Sequence, residues 1–134
     1  MDVMWTATDP DSRRLSSYGR SSAEDYITRI EALLATGEGY TEVHHAGQLY
    51  PLLTLSFKDG FGVVHQFPAE GKVLLLAGSG VIGASETVPV PVLDDADYAV
   101  FSGEYVLSSG QAWAVVQEFL RHGAVEDLGE WQEL

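Results

Sequence analysis

The chain has no cysteine among its 134 residues. Disulfides, thiolate zinc sites, iron–sulfur clusters and a cysteine nucleophile are therefore excluded, and a reducing compartment is compatible with the composition. Asparagine is also missing, and lysine occurs only at Lys58 and Lys72, a skew that suggests GC-rich coding. Long apolar runs are lacking: the longest, Val73 to Ala84, is broken by Gly78, Ser79, Gly80 and Gly83. A membrane-spanning helix needs about 20 apolar residues. Met1-Asp2-Val3-Met4-Trp5 shows no basic region leading into an apolar run, so no signal peptide is expected and the expected location is cytoplasmic. Cations are scarcest of all in the second half. From Val73 to Leu134 the only one is Arg121, against Glu86, Asp94, Asp95, Asp97, Glu104, Glu118, Glu126, Asp127, Glu130 and Glu133. An ordered surface this negative repels nucleic acid and anionic membrane, and it speeds encounter with basic surfaces.

What is present suits one packed domain spanning residues 1–134. Hydrophobic residues make up 46% of the chain, enough for a core without disulfide or metal support. Asp9 to Ser22, with Arg13, Arg14 and Arg20, reads as a loop or loosely held arm. A helix follows. Ser21 and Glu24 have capping-box spacing, with Ser22 and Asp25 as a weaker version. Tyr26, Ile27, Ile30, Leu33 and Leu34 fall on one helical face, and Gly37 supplies a left-handed stop.

The middle reads as antiparallel strands: Leu49 to Phe57, Gly62 to Phe67 and Val73 to Ala77, with Asp59-Gly60 as a hairpin signal between the first two. Thr87 to Leu93 carries Pro89 and Pro91, which confines it to an edge or an irregular segment. Tyr98 to Phe101 and Glu104 to Leu107 are further short strands. Ser108 and Gln111 open a second helix with capping-box spacing, Ala112, Trp113, Val115, Val116, Phe119 and Leu120 form its apolar face, and Gly123 ends it. Helices and strands are segregated. The expected fold class is α+β: an antiparallel meander of about four to six strands with two main helices packed against it.

Gly78-Ser79-Gly80-Val81-Ile82-Gly83 matches the dinucleotide pattern G-x-G-x-x-G. That pattern binds pyrophosphate only where a helix opens within the loop. Here Ala84 to Pro91 brings two prolines and β-branched residues, so the loop reads as a turn between strands and no cofactor is expected. His44 and His45 are adjacent, and neighbours on a strand point to opposite faces, so a shared metal is not expected. His122 sits in the last turn of the second helix, where a cation complements the dipole. No serine lies in a G-x-S-x-G elbow, no calcium loop is present, and no catalytic residue is identified; the chain is read as a binding protein and not as an enzyme.

The remaining signal is acid beside aromatic. Asp94-Asp95-Ala96-Asp97-Tyr98 is the densest cluster, and Glu104-Tyr105 repeats the pairing. The choice is between a solvated loop and a surface for a basic partner, in which carboxylates steer and tyrosines anchor. Glu126, Asp127 and Glu130 form a second candidate patch, followed by Trp131. Trp131 reads as packing on the domain, with partner contact as the alternative.

The segment Ser108 to Gly123, followed by Glu130-Trp131-Gln132-Glu133, resembles the first-numbered immunity-protein family of bacterial polymorphic toxin systems. Its members are small α+β proteins with a late helix ending in Phe-x-x-x-Gly, here Phe119 and Gly123, and then a Trp flanked by acids, here Trp131. The family pattern has a Pro between the glycine and the Trp, where this chain has Ala124 to Gly129. The resemblance implies an inhibitor that binds a cognate toxin domain, often a nucleic-acid deaminase, in a 1:1 complex and blocks its cleft, without binding nucleic acid or membrane itself. An acidic DNA mimic or regulatory protein-binding module is the alternative from another class, and a small ligand-binding domain is a third.

Overall fold

The computed structural model describes residues 1–92 and 98–134. The fold is α+β, with two helices packed on a mostly antiparallel sheet. The strands are β1 (Asp2–Ala7), β2 (Gly19–Ser22), β3 (Glu38–His45), β4 (Leu52–Lys58), β5 (Phe61–Phe67), β6 (Leu74–Leu76), β7 (Thr87–Pro91), β8 (Tyr98–Ser102), β9 (Leu107–Ser108) and β10 (Trp131–Glu133). The helices are α1 (Ala23–Leu34) and α2 (Ser109–His122). The main sheet runs β10-β6-β5-β4-β3-β1-β2, with β9 also paired to β5, and β7 and β8 form a separate hairpin.

More strands form than the sequence reading expects. β1 and β3 were not assigned as strands, and β2 lies in the stretch read as an arm. Their alternation is present but weak. In β3, Gly39, Thr41 and Val43 face the helices while Tyr40, Glu42 and His44 face the other way, so only one small residue in two signals burial. Glu104 to Leu107 is also corrected: Gly103–Tyr105 forms a turn of 3-10 helix, and the strand is confined to Leu107–Ser108.

Local chemistry explains the ends of the elements. Asp59 and Gly60 have φ of 54° and 87°, the left-handed pair that a two-residue hairpin of primed type needs. Ser22 caps α1 through Oγ, which accepts from Asp25 N at 3.1 Å. Ser21, expected as the cap, instead accepts the indole N–H of Trp5 at 2.9 Å. For α2 both halves of the capping box form: Ser108 Oγ accepts from Gln111 N at 3.1 Å, and Ser108 N donates to Gln111 Oε1 at 3.2 Å.

Both helices cover one face of the main sheet. Val3, Val43, Leu53, Leu55, Phe57 and Val64 meet Tyr26, Ile30, Val116, Phe119 and Leu120 there, all at 1% exposure or less except Leu120 at 2%. The β7–β8 hairpin lies across part of the opposite face, with β7 against β3, β4 and β5. A smaller core forms beneath it from Val63, Leu75, Val88, Val90 and Val106. No helix among the described residues is long and apolar enough to cross a membrane.

Candidate functional site

The structure brings together two of the acidic segments that sequence reading kept apart. Consecutive backbone amides do it: Ala77 N donates to Glu130 O at 2.8 Å, and Gly78 N donates to Glu104 O at 2.6 Å. Tyr105 then donates its hydroxyl to Gln132 Oε1 at 2.9 Å. Glu86 joins them, because Gly103 N donates to Glu86 O at 2.9 Å. The side chains of Glu86, Glu104 and Glu130 are exposed, and so are Glu126 and Asp127 in the short 3-10 turn just before β10. None of these carboxylates is ion-paired within the chain among the described residues. The segments that carry these exposed carboxylates thus meet around β6 and β10, at an acidic edge of the sheet.

The glycine-rich loop makes this edge possible. A Cβ on Gly78 would lie 2.6 Å from Val106 O and 2.8 Å from Gly103 O, and one on Gly103 would collide with the carbonyl of Gly83. The glycines let two backbones touch, which is a close-approach role. The loop runs on into a turn and then β7, with no helix opening at Gly83. Its amide contact is with protein: Gly83 N donates to the Glu86 carboxylate at 2.8 Å.

The other candidates fall elsewhere. Asp94, Asp95 and Asp97 lie outside the described residues. Tyr98 stands at the end of β8 remote from Glu104, and the strand from Tyr98 to Ser102 alone spans about 13 Å. It does not join the acidic edge. Its hydroxyl donates to Glu38, and the guanidinium of Arg13 and the ammonium of Lys58 sit 5.5 and 5.9 Å from its ring centroid. Trp131 packs against the main core, and its Nε1 donates to Val125 O at 2.8 Å. Both aromatic residues are thus used within the chain. Tyr105, half-buried at the rim of the smaller core, borders the edge.

The histidines separate as strand geometry requires. His45, on the helix face, donates from Nε2 to Phe119 O at 3.1 Å and lies edge-on to the Phe119 ring. It holds the last turn of α2 onto the sheet. His44, on the opposite face, donates from Nδ1 to the carbonyls of Gln48 at 2.8 Å and His45 at 2.9 Å. Burial against the hairpin lowers the pKa of His65. Among the described residues no three His, Asp or Glu side chains are grouped to hold a metal.

Sequence reasoning missed a second polar region on that opposite face. Tyr18 donates its hydroxyl to Glu42 Oε1 at 2.5 Å, and Tyr40 donates to Glu42 Oε2 at 2.5 Å. Burial first, and then the bond to Glu42, pushes both phenols well above the usual tyrosine range. The available signal was the spacing Glu38, Tyr40, Glu42, His44, a polar and aromatic period of two that identifies a strand face outside the apolar core. The grooves beside the arm are small: about 250 Å³ between Trp5, Arg29, Ile30 and Leu33, and about 140 Å³ by Arg13 and Glu38. Both fall below the roughly 300 Å³ at which pockets for organic ligands begin.

Comparing the chain with protein-family models and with curated proteins finds no match in either.

Proposed function

We propose that this protein is an inhibitor that binds a basic protein domain, a cognate bacterial toxin domain acting on nucleic acid, and blocks access to its cleft. The observation that carries this reading is the meeting around β6 and β10 of the segments that bear Glu86, Glu104, Glu126, Asp127 and Glu130, all exposed and none ion-paired with a Lys or Arg among the described residues. Like charges gathered on one edge repel one another, and the chain as a whole carries a net charge of −13. A basic partner relieves that repulsion, and a nucleic-acid-directed toxin presents such a surface to phosphate. The carboxylates accelerate encounter and set orientation, while the partly exposed Tyr105 offers aromatic area beside them. The resemblance of the segment Ser108 to Glu133 to immunity proteins supports the same partner. Inhibition requires no bond chemistry from this chain.

The test is co-expression with any toxin domain found encoded in the neighbouring gene, followed by stopped-flow association at several salt concentrations. Protection of the cells is expected, with an on-rate that falls as salt rises. Combined Glu104→Gln, Asp127→Asn and Glu130→Gln replacement should slow association about ten-fold at low salt and leave the melting temperature nearly unchanged. Replacing Asp94, Asp95 and Asp97 by Asn in a separate variant measures the share of steering from that cluster. A complex whose on-rate ignores both salt and the edge variant would remove the edge from the interface. Failure to bind or protect would remove the inhibitor reading itself.

A further inference from the structure

Two carboxylates stand on the same face of β3, at Glu38 and Glu42. Glu38 holds a cation of its own chain. Arg13 Nη2 lies 2.6 Å from Glu38 Oε2, Lys58 Nζ lies 3.8 Å from Oε1, and the Tyr98 hydroxyl donates to the same carboxylate. The Arg13 guanidinium also sits 5.5 Å from the Tyr98 ring centroid. The chain thus contains a complete arrangement of carboxylate, tyrosine and arginine. Glu42 reproduces its carboxylate and tyrosine parts with two phenols, from Tyr18 and Tyr40. Among the described residues no Lys or Arg of the chain pairs with Glu42.

We propose that Glu42, Tyr18 and Tyr40, with the His44 ring beside them, form a docking site for an arginine side chain of a basic protein. An ionised carboxylate accepts about four hydrogen bonds. The phenols take one on each oxygen, which leaves one on each oxygen for the parallel N–H pair of a guanidinium. The phenols stay protonated at neutral pH, so they fix the carboxylate without adding charge. Tyr18 is 45% exposed, and its ring centroid lies 6.1 Å from that of His44. That ring offers an accessible π-face for a planar cation. Arginine fits better than lysine, because only guanidinium is both forked and flat. Charge complementarity favours the same occupant, since Glu42 belongs to a chain of net charge −13.

The site is separate from the acidic edge. In the sheet, β4 and β5 stand between β3 and β6, so the proposal holds whether or not that edge meets the toxin. The probe is N-acetyl-arginine amide, titrated into the ¹⁵N-labelled full chain at constant ionic strength, with N-acetyl-lysine amide and sodium chloride as controls. Saturable shifts at Tyr18, Glu42 and His44 are expected, with a dissociation constant on the order of millimolar and weaker binding of lysine. Glu42→Gln should weaken the arginine response about ten-fold or more. Tyr18→Ala, at an exposed position outside the sheet, should weaken it severalfold, and it keeps the test open if the Gln variant folds poorly. Equal responses to arginine, lysine and salt, or an arginine response that survives Glu42→Gln, would overturn the proposal. Shifts confined to Glu104 and Glu130 would also overturn it, while leaving the acidic edge standing.

Discussion

The two faces of the main sheet are cut from the same strands and do opposite work. The helix face is closed: β1, β3, β4 and β5 send Val3, Val43, Leu53, Leu55, Phe57 and Val64 into one continuous core under α1 and α2. The other face is divided. Under β7 it holds the smaller core around Val63 and Val90, and toward β1 it carries Tyr18, Tyr40, Glu42 and His44 in a hydrogen-bonded polar array. One closed face provides most of the apolar burial, and this releases half of the other for side chains that a packed core would reject. Both candidate binding regions lie away from the helix core, one at the β6–β10 edge and one on the polar part of β3.

The sharpest way to break this comparison is to make a large cavity on each side of the sheet. Phe119 is fully buried and touches His45 at the end of α2. Phe119→Ala should cost about 3–5 kcal/mol in urea denaturation, the usual cost of a large aromatic cavity. Val90 is equally buried but sits in the smaller core. Val90→Ala removes two methylene equivalents and should cost about 1–3 kcal/mol, from transfer at about 0.8 kcal/mol each plus a cavity contribution. Equal costs would show that the hairpin core is as integral as the helix core. A Val90→Ala effect without loss of the main unfolding transition would show that the hairpin opens separately.

Alkaline pH gives a second, smaller test, because both faces hold protected phenols. Tyr26 is fully buried on the helix face with its hydroxyl 3.0 Å from Thr41 Oγ1, and burial raises its pKa. Tyr18 and Tyr40 are raised on the open face by burial and by Glu42. An unfolded tyrosine loses its proton near pH 10. Above that pH the unfolded chain binds fewer protons than the folded one, so stability is full below pH 10 and declines as pH rises through the raised native values. Absorbance titration at 295 nm should show these three phenols ionising late, together with unfolding. Glu42→Gln should bring Tyr18 and Tyr40 down while leaving Tyr26 high. If the variant shifted all three alike, the two faces would not be electrostatically separate.

The elements easiest to read were those whose signals are local. Ser108, Gln111 and Gly123 mark both ends of α2 because capping is settled within four residues of the terminus. Asp59-Gly60 marks its hairpin because the backbone there demands left-handed φ. Pro89 and Pro91 marked Thr87 to Leu93 as an edge or irregular segment for a similar reason: proline has no amide to donate, and β7 pairs on one side only, with β8. β1, β2 and β3 were missed because each is stabilised by partners distant in sequence, and half of a strand's side chains need not be apolar. The joining of Glu104 and Glu130 was equally hidden. It depends on two amides, Ala77 and Gly78, in a third segment, and on glycines whose purpose shows only when backbones 20 or more residues apart are seen in contact. Site residues sharing a surface by such contacts leave composition as their only trace in the sequence.

The smallest expected effect concerns the boundary where the open face passes under the hairpin. Ser56 is fully buried on β4, opposite Tyr40 on β3 and Val63 on β5, and its Oγ has no hydrogen-bond partner among the described residues. Tyr40 turns its hydroxyl to Glu42 instead. An unpaired buried hydroxyl retains its desolvation cost without the compensating bond, so Ser56→Ala should be neutral or stabilise by about 1 kcal/mol. The comparison is with Thr41, also buried and polar on β3 but on the helix face, where it donates to Thr6 O at 2.9 Å and meets the Tyr26 hydroxyl. Thr41→Val removes both bonds, leaves the buried Tyr26 hydroxyl without this partner, and should cost about 1–2 kcal/mol. Equilibrium urea curves with equal slopes decide it: a destabilised Ser56→Ala would mean that its hydroxyl has a partner after all, and that the polar array extends further beneath β7 than Glu42 and its two tyrosines.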